Sequence, residues 1–148
     1  MAEAEYEVQQ PVRLVEIRDE PLDVAAVHAA AAVEGAGGIC VFVGAVREHD
    51  KGRGVSALGY SAHPSAVGHM RRVATEVAQH HDALAVAAVH RVGDLSVGDL
   101  AVVVAVATAH RDAAFTACRE LIDELKATVP IWKHQVFVDG GDEWVGTP

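Results

Sequence analysis

The sequence has few basic side chains and no long apolar run. Its 148 residues include 12 Lys and Arg against 21 Asp and Glu, a formal net charge of −9 at pH 7. Nucleic-acid binders usually present a basic face, so this balance argues against a general nucleic-acid-binding role. The longest apolar run, near residues 100–109, is shorter than the roughly 20 residues that span a bilayer. The acidic start lacks the features of a signal peptide, so we expect a soluble, cytoplasmic protein without a membrane partner.

Cysteines and the common catalytic motifs are also scarce. Cys40 and Cys118 lie in apolar surroundings, without a CxxC partner or a His/Cys cluster at zinc spacing. We interpret them as buried, reduced thiols, with a nucleophilic or sulfur-carrying cysteine as the alternative. The sequence has no phosphate-binding GxxxxGK(S/T) or GxGxxG loop, no convincing carboxylate pair and no Ser-His-Asp order. We therefore expect no bound metal and no cofactor.

Aromatic residues are few, and alanine and valine supply most of the apolar content. A core of such small side chains suits close packing of helices on a sheet. The length suggests one domain over residues 1–148, with residues 1–10 flexible.

Apolar periodicity, with glycine and proline as punctuation, predicts the order β-α-β-β-α-β-β-β-α-β in one mixed α+β domain. Residues 37–46 are predicted to form a buried strand that pairs with the strand at 55–62 across an exposed, charged loop at 47–54. Residues 100–108 are apolar throughout, which predicts a strand covered on both faces. The remaining predicted elements are strands at 11–20 and 131–138, two short β segments before residue 100, and helices at 21–35, 64–81 and 111–127.

Basic residues stand at four places where packing alone would not require them. Arg47 ends an apolar strand, with a solvated loop arginine as the alternative interpretation. His110 and Arg111 precede a predicted helix, whose free N–H groups attract anions, unless both side chains point to water. Lys126 lies near the end of that helix, where lysine often only complements the dipole. Lys133 follows Pro130 and Trp132; beside apolar surface its pKa would fall, and the alternative is an exposed strand lysine.

These five basic residues predict a site for a small anionic ligand, without indicating its identity. Several segments, read together, resemble the molybdopterin synthase catalytic (large) subunit family. The matching segments, between Gly35 and Trp144, are GAGGICVFVGAVR, KGRGVSALGY, VHRVGDLSVGD, VVVAVATAHRDAAFTACRELIDELK and VPIWK.

The resemblance implies an α/β-hammerhead fold, a mixed sheet with packed helices and an additional small β subdomain. It implies a sulfurtransferase of molybdenum cofactor biosynthesis that converts a cyclic pyranopterin monophosphate (precursor Z) into molybdopterin. Two sulfurs would arrive as a thiocarboxylate on the Gly-Gly C-terminus of a small ubiquitin-like sulfur-carrier subunit. Two copies of this chain would form the central homodimer of a heterotetramer.

The resemblance also assigns roles residue by residue. Lys126 and Lys133 match the two functional lysines, which would transfer protons or capture the incoming acyl group. The remaining matches are substrate-binding positions: Arg47, His110 and Arg111 at the phosphate, Ala45 and Val46 framing it through their backbone, and His134 and Gln135 extending the Lys133 side.

The sequence departs from the family pattern at several positions. Ser61 and His63 stand where an acidic residue and a tyrosine are common, and Gln135 stands where glutamate is frequent. No arginine near the end matches one that reaches the neighbouring subunit's pocket in some relatives. A helix of about 16 residues is about 24 Å long, so its two ends cannot line one small pocket. Such a pocket is either elongated or shared between two subunits. The alternatives are a binding module that has lost turnover and an unrelated enzyme for an anionic ligand.

Overall fold

The computed structural model describes residues 10–146, which form two β-sheets and three helices. Residues 1–10 were expected to be flexible, and all of them except Gln10 lie outside the described residues. The strands are β1 (Val12–Arg18), β2 (Gly38–Ala45), β3 (His49–Asp50), β4 (Arg53–Ala62), β5 (Ala85–Arg91), β6 (Gly93–Leu95), β7 (Leu100–Thr108), β8 (Ile131–Phe137) and β9 (Asp142–Val145), and the helices are α1 (Val24–Ala31), α2 (Ala66–His80) and α3 (Arg111–Thr128).

The larger sheet has fewer strands than the smaller one, but its strands are longer on average. Its four strands run in the order β1-β5-β7-β2, with β1 parallel to β5 and the other pairs antiparallel. Side chains alternate between the two faces of its central strand β7. Val104 and Val106 pack with α2 and α3, whereas Val103 and Ala105 pack with α1. All four are fully buried, which confirms the prediction that this strand is covered on both faces.

The smaller sheet is the additional β subdomain. Its strands run in the order β3-β4-β8-β9, and β6 also pairs with β4. A separate apolar cluster stabilises it, with Leu58, Leu95 and Phe137 almost completely buried. The long strand β4 pairs with β8 over most of its length, and α3 leads directly into β8. The predicted α+β class is therefore confirmed.

Two strand predictions were wrong, and one strand was missed. Strand β2 does not pair with β4; it pairs with β7 as an edge strand, which leaves Phe42 and Val43 more than one-third exposed. The charged segment after β2 is not a simple loop, because His49 and Asp50 pair with the start of β4 around a turn at Lys51. Strand β9 was not predicted, since a stretch of four residues after a Gly-Gly turn has too little periodicity to detect.

One helix prediction also needs correction. Helix α1 begins at Val24 and not at Pro21, because Asp23 is its N-cap and accepts a hydrogen bond from the Ala26 amide. It ends at Ala31, before the predicted end at Gly35. In α3, Phe115 is 64% exposed. Within residues 10–146, no helix is both long and apolar enough to cross a membrane.

Candidate active site

Lys126 and Lys133 line the same cavity, although they belong to different layers of the fold. Lys126 lies in the last turn of α3 and Lys133 in the middle of β8. The cavity encloses about 220 Å³, and its lining includes four polar side chains: Tyr60, His90, Lys126 and Lys133. The rest of the lining is apolar or glycine, so among residues 10–146 no carboxylate faces the ligand space directly.

Packing and strand register explain why the two lysines meet. Leu121 and Leu125 are buried against the larger sheet, which fixes the rotation of α3 and directs its last turn toward the cavity. In the smaller sheet, the antiparallel register pairs Lys133 with Tyr60. Only Val129 and Pro130 separate α3 from β8. The cavity therefore lies where the end of α3 meets the smaller sheet.

The surroundings of Lys133 favour its neutral form. Burial is the largest cause that lowers its pKa below the ordinary lysine value, and the positive charges of Lys126 and Arg47 lower it further. The carboxylates of Asp50 and Glu143 act in the opposite direction. A lysine in this situation is better suited to proton transfer or nucleophilic attack than an exposed one.

Arg47 lies at the edge of this site rather than in its lining. Its Nη2 atom donates to Asp50 Oδ1 at 2.9 Å, and the buried side chain of Gln135 donates to the other carboxylate oxygen. The hydrogen bond from Gln135 is the largest cause that lowers the pKa of Asp50. Gln135 therefore holds an anion beside Arg47 and Lys133 and does not itself enter the cavity.

Of the two residues predicted to frame the site, Ala45 lies in the cavity lining and Val46 lies outside it. Ala45 lines the cavity, as the predicted framing role requires. Val46 is buried in the apolar cluster of the smaller sheet, and its backbone exchanges hydrogen bonds with the turn at Gly98 and Asp99. This pairing fixes the path of the chain just before Arg47.

His134 lies on the face of β8 opposite to Lys133, because adjacent strand residues alternate. Its ring stacks on Trp144 with centroids 4.4 Å apart, and its Nε2 atom lies 2.9 Å from Asp142. These contacts join β8 to β9. Its predicted substrate contact stays a prediction, because this side chain is engaged outside the cavity.

His110 and Arg111 lie at the opposite end of α3 from Lys126, and both are exposed. Fifteen residues separate Arg111 from Lys126, which corresponds to about 22 Å along the helix. The start of α3 packs closely on the first residue of β2: a Cβ atom on Gly38 would lie 2.9 Å from the Cα atom of Arg111. Within one chain, this pair does not share the cavity with the lysines.

His90 and Tyr60 were missed as site residues by the sequence analysis. The pKa of His90 is lowered to about 4. Burial is the largest cause and the charge of Lys126 acts in the same direction, whereas the hydrogen bond to the carbonyl of Arg91 opposes them. Its ring meets that of Tyr60 edge to face, with centroids 4.9 Å apart. A polar residue at the end of an apolar strand had drawn attention to Arg47, and the same signal was present at His90.

The cysteines lie away from the cavity lining. Cys118 is buried, and burial raises the pKa of its thiol to about 12, with contact from Cys40 adding to the effect. Both thiols pack into the core between α3 and β2. This environment disfavours a thiolate at Cys118, as the interpretation of inert thiols expects.

A four-stranded sheet with helices on both faces, a smaller sheet and a paired-lysine cavity define the class: an α+β protein with a lysine-based site. Residues 17–128 match the family model described as MoaE protein. This match covers well over half of the chain, which therefore belongs to the MoaE family. The resemblance inferred from the sequence segments is confirmed.

Individual relatives agree with this assignment. The chain is 42% identical over 133 residues to molybdopterin synthase catalytic subunit 1 of Mycobacterium tuberculosis, covering 88% of each chain. It is 38% identical over 112 residues to the molybdopterin synthase catalytic subunit of Bacillus subtilis, covering 75% of this chain and 71% of that one. The crystal structure of molybdopterin synthase from Staphylococcus aureus superposes with a TM-score of 0.83 at 33% identity, covering 90% of this chain and 97% of that chain.

Proposed function

We propose that this chain is the catalytic subunit of a molybdopterin synthase. It converts a cyclic pyranopterin monophosphate into molybdopterin, as a sulfurtransferase of molybdenum cofactor biosynthesis. Both sulfurs come from the thiocarboxylated C-terminus of a small sulfur-carrier subunit and form the dithiolene. The observation that carries this proposal is the single cavity in which Lys126 and Lys133 converge from two separate elements.

The chemistry of the cavity supports a reaction between two anionic reactants. The amines of Lys126 and Lys133 can donate hydrogen bonds to the thiocarboxylate, and apolar surface from Met70, Ile122 and Leu125 suits a flat heterocycle. Lys133, with its lowered pKa, is the better candidate for transfer of a proton or capture of the acyl group. Lys126, in the last turn of α3, would stabilise negative charge that develops during sulfur transfer.

The partner arrangement is also part of the proposal. A structure titled as the complex of subunits 1 and 2 of the molybdopterin-converting factor from Helicobacter pylori shares the fold, with a TM-score of 0.67 at 18% identity. We infer a small ubiquitin-like partner whose Gly-Gly tail enters the cavity. Because His110 and Arg111 lie about 22 Å from Lys126 along α3, we also infer a central homodimer in which two copies contribute to substrate binding. Residues 1–148 would act as one domain.

Reconstitution of the reaction tests the proposed function. Purified chain would be mixed with the thiocarboxylated small subunit and the pyranopterin, and the dithiolene product would be assayed. The Lys126→Ala and Lys133→Ala variants are expected to lose at least about 100-fold in product formation, the usual scale for removing a group that acts in the transition state. Lys51→Ala is the matched control, because Lys51 is exposed and pairs with Glu143 outside the cavity. Undiminished product from both cavity variants would defeat the assignment.

A binding module without turnover is the second candidate. It is favoured by one observation, the commitment of Gln135 to Asp50 where the family pattern frequently has glutamate. Normal binding of the small subunit without any product, in the wild-type reaction, would support this candidate over the enzyme.

A further inference from the structure

His90 is the cavity residue to which the sequence resemblance assigned no role. It is the next-to-last residue of β5, and its ring projects into the lining between Lys126 and Tyr60. The edge-to-face contact with Tyr60 and the hydrogen bond at Nδ1 hold the ring in one orientation. A partly buried ring fixed in this way presents the same atom to any ligand that enters.

The hydrogen bond at Nδ1 determines which nitrogen carries the proton. The atom lies 2.7 Å from the carbonyl oxygen of Arg91, and a carbonyl oxygen can only accept. Nδ1 is therefore the protonated nitrogen, and Nε2 of the neutral ring carries a free lone pair. Among the described residues 10–146, no protein donor reaches Nε2.

An acceptor at this point complements the other polar groups of the cavity. Lys126 and Lys133 are donors when charged, and the hydroxyl of Tyr60 can act in either role. The lining residues that the structure describes include no carboxylate, and the Nε2 lone pair of His90 supplies an acceptor that needs no donation in return. A ligand that presents both anionic oxygens and N–H groups would satisfy the complete set.

We propose that Nε2 of His90 accepts a hydrogen bond from a ring N–H of the bound pterin and orients that ring between Lys126 and Lys133. This inference rests on the proposed function, since it names the part of the substrate that the cavity recognises. The phosphate would then lie away from His90, toward basic residues outside the cavity lining. His90 thus selects for a nitrogen heterocycle that can donate.

Two conservative variants separate ligand recognition from a structural role. In His90→Asn, the side-chain amide can still donate to Arg91, but no acceptor reaches the position of Nε2. In His90→Gln, the amide oxygen can approach that position, while the donor to Arg91 is lost. Pterin binding is measured by titration without the sulfur carrier, so that turnover plays no part.

We expect His90→Asn to weaken pterin binding by about tenfold or more, because a buried ring N–H would lose its acceptor. His90→Gln should stay within about threefold of wild type. The reverse order, with asparagine binding normally and glutamine failing, would mean that the histidine only supports the fold. Equal binding by both variants and the wild type would overturn the proposal as well.

A measurement on the unaltered protein keeps the test valid if a variant fails to fold. Nitrogen NMR of the histidine side chains should reveal an unprotonated Nε2 at His90 in the free protein, and pterin should shift that resonance. An Nε2-protonated ring, or a resonance unchanged at saturation, contradicts the proposal. If the wild type does not bind pterin at all, both this inference and the proposed function fail; if only His90→Asn behaves normally, this inference alone fails.

Discussion

The two ends of helix α3 carry similar charge in different surroundings. At the C-terminal end, Lys126 faces a cavity that it shares with Lys133 and the partly buried His90. At the N-terminal end, His110 and Arg111 are exposed beside the helix dipole. The first end offers two amines in a partly dry space, where burial lowers the pKa of Lys133. The other end offers the guanidinium of Arg111 and free backbone N–H groups, which suit recognition of an anion without chemistry.

Under the proposed function, this difference would separate reaction, at Lys126, from recognition, at Arg111, along a single helix. Because about 22 Å lies between the two ends, one small substrate cannot contact both within one chain. A change at the Lys126 end should therefore affect the chemical step, whereas a change at the Arg111 end should affect affinity.

The largest expected effect tests that division directly. Lys126→Met keeps the length and the apolar stem but removes the charge, and we expect kcat to fall by at least about 100-fold. Arg111→Met should raise KM by about tenfold with a smaller change in kcat, since one charge-assisted hydrogen bond contributes about 1.5–3 kcal/mol. Steady-state kinetics of dithiolene formation measures both. If Arg111→Met lowers kcat as much as Lys126→Met does, the division is wrong.

A glycine substitution should disturb the N-terminal end alone. A Cβ atom on Gly37 would lie 2.1 Å from the carbonyl oxygen of Ala109, just before α3, so the backbone would have to move. We expect Gly37→Ala to lower the free energy of unfolding by about 2–3 kcal/mol, as overpacking does. Gly68→Ala is the control, because no atom lies within 4 Å of its added Cβ in helix α2. It should be neutral or stabilising by up to about 1 kcal/mol. Denaturant unfolding distinguishes them, and equal stabilities would refute the close approach.

Acidification should lower the free energy of unfolding through His90, at the cavity end of α3. The pKa of His90 is about 4 in the folded chain and 6.5 as an ordinary value, so unfolding takes up a proton between those limits. The stabilisation is complete above about pH 6.5 and is lost as the pH falls toward 4. Between about pH 7.5 and pH 4.5, the wild type should lose about 2 kcal/mol more than His90→Asn. Parallel losses in urea unfolding at the two pH values would show that His90 is not buried in a neutral form.

The smallest effect concerns the carboxylate beside Lys133. Asp50 raises the pKa of Lys133, opposing burial and the charges of Lys126 and Arg47. Asp50→Asn should therefore lower the pKa of Lys133 further and move amine labelling of that residue to lower pH. Lys51 provides a comparison, because Asp50 is only the smallest of the causes that raise its pKa, after Glu143, so labelling of Lys51 should move less than labelling of Lys133. A shift of the Lys133 profile to higher pH would contradict the assigned role of Asp50.

The sequence predicted the elements whose apolar pattern is long. The fully apolar run of β7 and the stripe of α3 both appear at almost the predicted bounds. Strand pairing was harder to predict from the sequence. The apolar patterns of β2 and β4 do not specify which strand each one pairs with, and the two strands lie in different sheets. Short elements such as β3 and β9 depend on long-range pairing that local periodicity does not record.

The site was predictable where residues are close in sequence and less so elsewhere. Lys126 and Lys133 are seven residues apart, so their convergence on one cavity needs only a turn between two elements. His90 and Tyr60 come from two other strands, and only the three-dimensional register joins them to the lysines. The sequence also could not indicate that the side chain of Gln135 donates a hydrogen bond to Asp50, since the two residues are 85 positions apart.

The two-residue connection at Val129 and Pro130 has a mechanical consequence. Its carbonyl oxygen at Pro130 accepts a hydrogen bond from the amide of His63 at the end of β4, so the joint is pinned to the smaller sheet. The ring of proline restricts rotation at this joint. Lys126 and Lys133 are therefore held on two rigid elements that are joined by a stiff connection. A small rotation of the smaller sheet against α3 would change the spacing of the two amines without deforming either element, and would open or narrow the cavity between them.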